Sequence, residues 1–183
     1  MIKGWYNPTT SPERLLTNYM ATGKNKYLSL LVAQFNLSLY HYLLSQSNKE
    51  LAEDVVQTTW LKVINIKADT TRQTNVKSWL FTIARNSLID EFRRQQKWQC
   101  QLLDENKMLT VNLEKSIQAS DRLTQFNSAL AQLPFLQREA FIFQQEGFSV
   151  MEISVLTNDS FETIKSRLRY ARTNLSHLLG SSS

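Results

Sequence analysis

Near the C-terminus, Thr163, Lys165, Ser166, Arg169, Tyr170, Arg172 and Thr173 recur at steps that place cations and hydroxyls on the outer faces of one helix. Side chains of these types make and break no covalent bonds. They bind polyanions, donating hydrogen bonds to phosphate oxygens and to the exposed edges of bases. An ordinary amphipathic helix with a solvated charged face is the competing reading. A second cationic group, Arg85, Arg93, Arg94 and Lys97, ends beside Trp98 and is partly offset by Asp90 and Glu91. Residues suited to catalysis are sparse. His41, His177 and Cys100 have no metal-ligand spacing, and no nucleophile–base pair or phosphate-cradling glycine loop is visible. Asp54 and Asp90 fall on separate helical patterns with Arg and Lys nearby, which argues against a metal-dependent enzyme acting on nucleic acid. The expectation is a binding protein, not an enzyme, with no cofactor and no metal.

The elements that must position the C-terminal cations follow from pattern. Ser149 precedes Glu152 by three residues, the spacing of a capping box that starts a short helix. Asn158, which tolerates the left-handed conformation, stands where the chain must reverse, and Ser160 caps the next helix. There Ile164, Leu168, Ala171, Leu175 and Leu178 form one apolar stripe at helical period. Burying that stripe leaves the cations outward, as the second helix of a helix-turn-helix requires to enter the major groove. Upstream, Leu28, Leu31, Val32, Phe35, Leu39, Tyr42 and Leu43 trace a core helix over 25–46, and Ala52, Val55, Val56, Trp60 and Val63 a second over 51–64. Leu61 lies off that second stripe and hints at a partner surface. Val76 to Trp98 gives a third helix, with Trp79, Leu80, Ile83, Ala84, Leu88 and Phe92 inward. Leu123 to Leu133 and Leu136 to Glu146 supply two more, separated by Pro134 and stopped by Gly147. Residues 1–24, with Pro8, Pro12 and Gly23, read as a loose arm with about one helical turn. The polar stretch from Asn65 to Asn75 reads as a long loop, and 99–120 as a domain linker.

The totals agree with this division. The 183 residues carry 42% hydrophobic content, enough for two small cores, and only four glycines and three prolines, few for a strand-rich fold. An all-α chain is expected: two small helical domains, 25–98 and 121–180, joined by a flexible linker, the C-terminal one a helix-turn-helix. Lys and Arg number 21 against 16 Asp and Glu, a formal +5 that favours polyanionic partners. The single cysteine forms no intramolecular disulfide, and no apolar run approaches the roughly eighteen residues of a membrane span. A soluble cytoplasmic protein is expected.

Three blocks carry a family resemblance. AEDVVQTTWLKV (52–63) and SWLFTIARNSLIDEFRR (78–94) resemble region 2 of the sigma-70 superfamily; LAQLPFLQREAFIFQQEGFSVMEISVL with TIKSRLRYARTNL resembles region 4. In this order, with a polar linker between, the chain resembles the extracytoplasmic-function (ECF) RNA polymerase sigma factors, which have only these two regions. The resemblance implies a promoter-specificity subunit that binds core RNA polymerase, recognises the minus-ten and minus thirty-five elements and promotes initiation. It implies that Asp54, Gln57 and Thr58 grip the clamp helices of the largest polymerase subunit, and that the Asn65–Asn75 loop captures an unstacked promoter base. Lys77, Arg85, Asn86, Arg93 and Arg94 would hold that strand and its adjoining duplex. Glu162, Lys165, Ser166 and Arg169 would face bases or nearby phosphates of the upstream element, with Thr163, Arg167 and Arg172 positioning the backbone. An anti-sigma partner is also implied. At the turn the chain departs from the family: Thr157, Asn158 and Asp159 replace the usual Leu-Gly-aliphatic sequence, placing an unexpected carboxylate close to DNA. The alternative is a one-component helix-turn-helix regulator that acts without core polymerase.

Overall fold

The computed structural model describes residues 10–66, 75–94 and 121–180, and among these all regular structure is helical. Eight helices follow in order: α1 Pro12–Thr22, α2 Asn25–Gln46, α3 Lys49–Ile64, α4 Val76–Arg94, α5 Asp121–Ala131, α6 Phe135–Gln145, α7 Val150–Thr157 and α8 Phe161–Gly180. Most of the loop expected at 65–75 and all of the linker at 99–120 lie outside the described residues.

The N-terminal arm differs from expectation. It forms an 11-residue helix rather than a loose segment with a single turn. Ser11 accepts a hydrogen bond from the Arg14 amide at 3.3 Å, Pro12 occupies the first turn, and Gly23 closes the helix at φ 62 with its N–H donating to Tyr19. Proline and glycine in a polar stretch suggest a loop, but at the first turn and just past the end of a helix they are boundary residues. Leu15 and Leu16 bury against the core, and Glu13 accepts from the Val76 amide at 3.4 Å, tying α1 to the start of α4.

Helices α2, α3 and α4 pack as neighbours. Ser47 and Asn48 make the sharp connection between α2 and α3, Asn48 accepting from the Leu51 amide at 2.9 Å as an N-cap. Across the group the Trp60 indole donates to Asn36 at 2.9 Å, and Lys62 donates to Ser87 at 2.9 Å. Trp60 and Phe81 are buried, while Trp79 and Ile83, also expected inward, are half-buried.

The C-terminal helices do not stand apart from this group. α2 lies against α6, and α4 against α7, so that most of the buried residues of both halves belong to one apolar cluster. Its centre is aromatic. Tyr42 stacks on Phe143 with centroids 4.7 Å apart, and Phe148 meets Phe81 edge-on at 5.1 Å. Ring pairs in these geometries add about 0.5–1.5 kcal/mol each beyond the area they bury. Ala129, Leu130, Leu133, Ala171 and Leu175 form a smaller cluster where α5 crosses α8.

Candidate nucleic-acid interface

The C-terminal motif is built as its residues dictate. The Ser149 hydroxyl accepts from the Glu152 amide at 3.2 Å, and the Glu152 carboxylate accepts from the Ser149 amide at 2.8 Å, completing the capping box. The bond from the Ser149 amide, and then a second that the Ser149 hydroxyl donates to the same carboxylate at 2.8 Å, hold the Glu152 carboxyl below the usual carboxylate range, with Asn75 and Lys77 adding to the effect. α7 ends at Asn158, whose φ of 60 and ψ of 38 are left-handed, so it does the work glycine usually does at such a reversal. Ser160 then caps α8 by accepting from the Thr163 amide at 3.1 Å.

Asp159, the unexpected carboxylate of the turn, is neutralised from within the motif. Arg167 pairs with it at two points, Nη1 to Oδ2 at 2.5 Å and Nη2 to Oδ1 at 3.2 Å. This fork fixes the turn against the second turn of α8 and offsets the Asp159 charge. Arg167 is therefore partly buried and engaged within the protein instead of reaching outward.

The stripe of α8 is buried as its spacing requires, Ile164, Leu168, Ala171 and Leu175 all lying at 5% exposure or less. Opposite them Glu162, Lys165, Arg169 and Arg172 are exposed, with Thr163 and Ser166 half-buried at the flanks. Each outward cation has a local partner: Lys165 reaches Glu162 at 3.2 Å, Arg169 lies 5.0 Å over the Tyr170 ring, and Arg172 donates to Gln144 at 2.7 Å. Exposed contacts of this kind contribute roughly 0–1 kcal/mol, enough to orient a side chain and too little to keep it from a phosphate.

On α3, Asp54, Gln57 and Thr58 are all exposed, and Leu61 continues their face at 57% exposure. The candidates on α4 divide. Asn86, Arg93 and Arg94 face solvent, Arg93 lying 3.8 Å from Asp90 and Arg94 2.6 Å from Glu91. Lys77 and Arg85 instead face the C-terminal half. Lys77 donates to the Glu146 carbonyl at the end of α6, lies 3.7 Å from its carboxylate and sits 4.9 Å over the Phe148 ring.

Arg85, expected at the DNA strand, is buried in this structure, which corrects that expectation for the arrangement seen here. Its Nε and Nη2 donate to the two oxygens of Glu139 at 3.0 and 3.1 Å, and the Tyr42 hydroxyl donates to the same carboxylate at 2.9 Å. Glu139 is fully buried. Burial by itself lowers the Arg85 pKa, but the charge and hydrogen bonds of Glu139 reverse this and leave it raised. Burial first, and then the same carboxylate, pushes the Tyr42 phenol well up. Beside them Arg138 donates to Gln46 at 3.1 Å and to the carbonyls of Ala131 and Leu133 at 2.9 and 3.3 Å, and burial pulls its pKa down to about 10. Nothing local in the sequence marks Glu139 for this role, because its partners Tyr42 and Arg85 lie on helices distant in the chain, as does the Gln46 partner of Arg138. Among the described residues no group of His, Cys, Asp and Glu could hold a metal ion, and no helix is long and apolar enough to cross a membrane.

Fold and site together define an all-helical protein whose last two helices, joined by a left-handed asparagine turn, have the form of a helix-turn-helix with a cationic outer face. Residues 31–98 match the family description Sigma-70 region 2. The ECF RNA polymerase sigma factor EcfG of Rhodopseudomonas palustris is 33% identical over 78% of this chain and 79% of its own length. The ECF RNA polymerase sigma factor SigM of Bacillus subtilis is 29% identical over 76% and 87%. Among solved structures, the sigma factor RpoE in complex with the anti-sigma factor NepR from Bartonella quintana superposes with a TM-score of 0.68 at 30% identity, covering 85% of this chain and 98% of that one. CnrH, in complex with the cytosolic domain of CnrY, shares the fold at a TM-score of 0.63 and 24% identity. The chain belongs to the ECF RNA polymerase sigma factors, and its role is that of a sigma subunit in transcription initiation.

Proposed function

We propose that this chain binds core RNA polymerase through the outer face of α3, reads the minus thirty-five element with α8 and the minus-ten element with α4 and the 65–75 loop, and so directs initiation at particular promoters. The observation that carries the reading is the coexistence of two open faces on one chain: Asp54, Gln57 and Thr58 on α3, and Lys165, Arg169 and Arg172 on α8. The first offers a carboxylate and hydrogen-bonding groups beside an exposed leucine, which suits a protein partner. The second offers cations on a helix whose stripe is buried from Ile164 to Leu175, which suits the major groove. The chain works as two helical units, 25–98 and 121–180, joined by 99–120, performs no chemistry of its own and acts in the cytoplasm. Because RpoE and CnrH are each seen with a protein partner, RpoE's being an anti-sigma factor, an anti-sigma factor is the expected regulator here as well.

Run-off transcription from a genomic promoter library, with purified core polymerase and with or without this protein, tests the proposal. Protein-dependent transcripts from a defined subset of promoters are expected. A protein that footprints duplex DNA alone and neither binds nor redirects core polymerase would instead be a one-component regulator.

A further inference from the structure

The cations of α8 are held in different ways. Lys165 pairs with the Glu162 carboxylate at 3.2 Å, Arg167 forks onto Asp159, and Arg169 lies over the Tyr170 ring. Arg172 is held from another helix and by a neutral group: its Nη2 donates to the Oε1 of Gln144, in the last turn of α6, at 2.7 Å. A carboxylate in that place would orient the guanidinium and offset its charge together. An amide orients it and leaves the charge whole. The bond also sorts the two ends of the amide. With Oε1 engaged by Arg172, the Nε2 of Gln144 stays a donor for a further acceptor. Gln144 is half-buried and Arg172 exposed, so an acceptor that approaches α8 from solvent can reach both. The two helices do not depend on this bond for their packing. Ala140 and Phe143 of α6 and Leu168 and Ala171 of α8 are buried, and Asn174 donates to Gln137 at 2.9 Å across the same pair of helices.

We propose that Gln144 and Arg172 together form a clamp for one backbone phosphate of duplex DNA, and that Gln144 is a positioning residue whose neutrality keeps the Arg172 charge available. The proposal rests on the reading of α8 as the helix that enters the major groove, and adds to it a contact from α6. A phosphodiester presents two non-bridging oxygens and one negative charge. The Arg172 guanidinium supplies the counter-charge at one oxygen, and the Gln144 NH2 donates to the other. Two consequences separate this clamp from a lone surface arginine. A guanidinium already fixed by a partner gives up less side-chain freedom when it binds, so more of the contact survives as affinity. A phosphate gripped from two helices also fixes the rotation of α8 about its own axis, and with it the register of Lys165, Ser166 and Arg169 against the base edges. The class of ligand follows from the neighbours. Lys165 and Arg169 are exposed on the same helix, and a regular polyanion engages several such cations together.

The test measures binding of the full chain to a mixed-sequence duplex, alone and with core polymerase, by fluorescence anisotropy over a salt series. Gln144→Glu keeps a partner for Arg172 but offsets its charge. It is expected to weaken binding about tenfold and to lower the slope of log affinity against log salt by about one. Gln144→Ala leaves the charge and removes the hold, and is expected to weaken binding about threefold with the slope unchanged. In an Arg172→Ala background, Gln144→Ala is expected to weaken binding less than it does alone, because the two residues share one phosphate. Gln34→Glu, at an exposed position on α2, makes the same change of net charge and is expected to leave the slope where it is. The clamp is overturned by a Gln144→Glu protein that keeps the slope of the original, or by a Gln34→Glu protein whose slope falls as far. It is overturned equally if Gln144→Ala lowers the slope as much as Gln144→Glu does, which would make Gln144 a packing residue, or if the unsubstituted chain binds no duplex in either setting. Failure of the unsubstituted protein to support run-off transcription strikes the proposed function instead, and the slopes then decide the clamp by themselves.

Discussion

Asp159 and Arg167 form a two-point ion pair across the turn of the C-terminal motif, with side chains 26% and 15% exposed. The pair explains how a carboxylate is accommodated within the turn of the motif. It also engages Arg167 within the turn.

Asp159→Ala should therefore act on stability before it acts on DNA. Losing a partly buried, charge-assisted fork is expected to cost about 1–2 kcal/mol. In a chain of this size that lowers the thermal midpoint by about 2–8 °C. Differential scanning calorimetry measures the loss, and core-polymerase affinity should stay unchanged because α3 is remote from the turn. An Asp159→Ala protein as stable as the original would show that the pair is idle.

On α8 the exposed cations separate into two kinds. Arg169→Ala is expected to reduce use of the upstream element by about 1–3 kcal/mol, in a manner that depends on the base sequence. Lys165→Ala and Arg172→Ala are expected to weaken binding to all sequences alike and to lower the slope of log affinity against log salt by about one each. Duplex binding measured over a salt series distinguishes them. Identical slopes for all three variants and the original would remove the phosphate assignment.

Much of this site was legible because its signals are local. The capping box at Ser149 and Glu152, the left-handed Asn158, the Ser160 cap and the stripe from Ile164 to Leu175 each depend on residues within a turn or two of one another, and all stand where their spacing puts them. The seam between the halves was illegible for the converse reason. Arg85 and Glu139 are 54 residues apart and Tyr42 and Glu139 are 97 apart, and no periodicity reports which helix a given face will meet. The family resemblance assigned Arg85 to the promoter strand, and no local pattern announces that here a carboxylate on another helix offsets its desolvation. The arm at α1 failed for a third reason: Pro12 and Gly23 mark the two ends of one helix, and their meaning depends on being taken together.

Asp54→Arg is expected to weaken core binding by about tenfold or more, since reversing a charge within a complementary surface leaves like charges opposed. The residue is exposed on a helix whose buried stripe lies opposite, so thermal stability should move little. Fluorescence anisotropy with labelled protein and core polymerase reads the first effect, and a melting curve the second. Unaltered affinity would move the polymerase-binding face away from α3.

Acid should loosen the start of α7 before the bulk of the fold. Glu152 is held below the usual carboxylate range, foremost by the Ser149 amide, so its pKa is lower folded than unfolded. A group shifted in that direction stabilises the folded state at pH values above its unfolded pKa and loses that contribution as pH falls through the folded one. Glu152→Gln keeps one oxygen to accept from the Ser149 amide, sets an NH2 where Asn75 donates to the second oxygen, and carries no proton equilibrium. The variant is expected to melt below the original at neutral pH, with the gap closing as pH falls below the usual carboxylate range. Comparing the two proteins at each pH cancels the other carboxylates, whose titration is common to both. A gap that stayed constant from neutral pH down to about pH 3, below the ~4.3 typical of an unperturbed Glu, would mean that the cap works through shape and hydrogen bonding alone, without the charge.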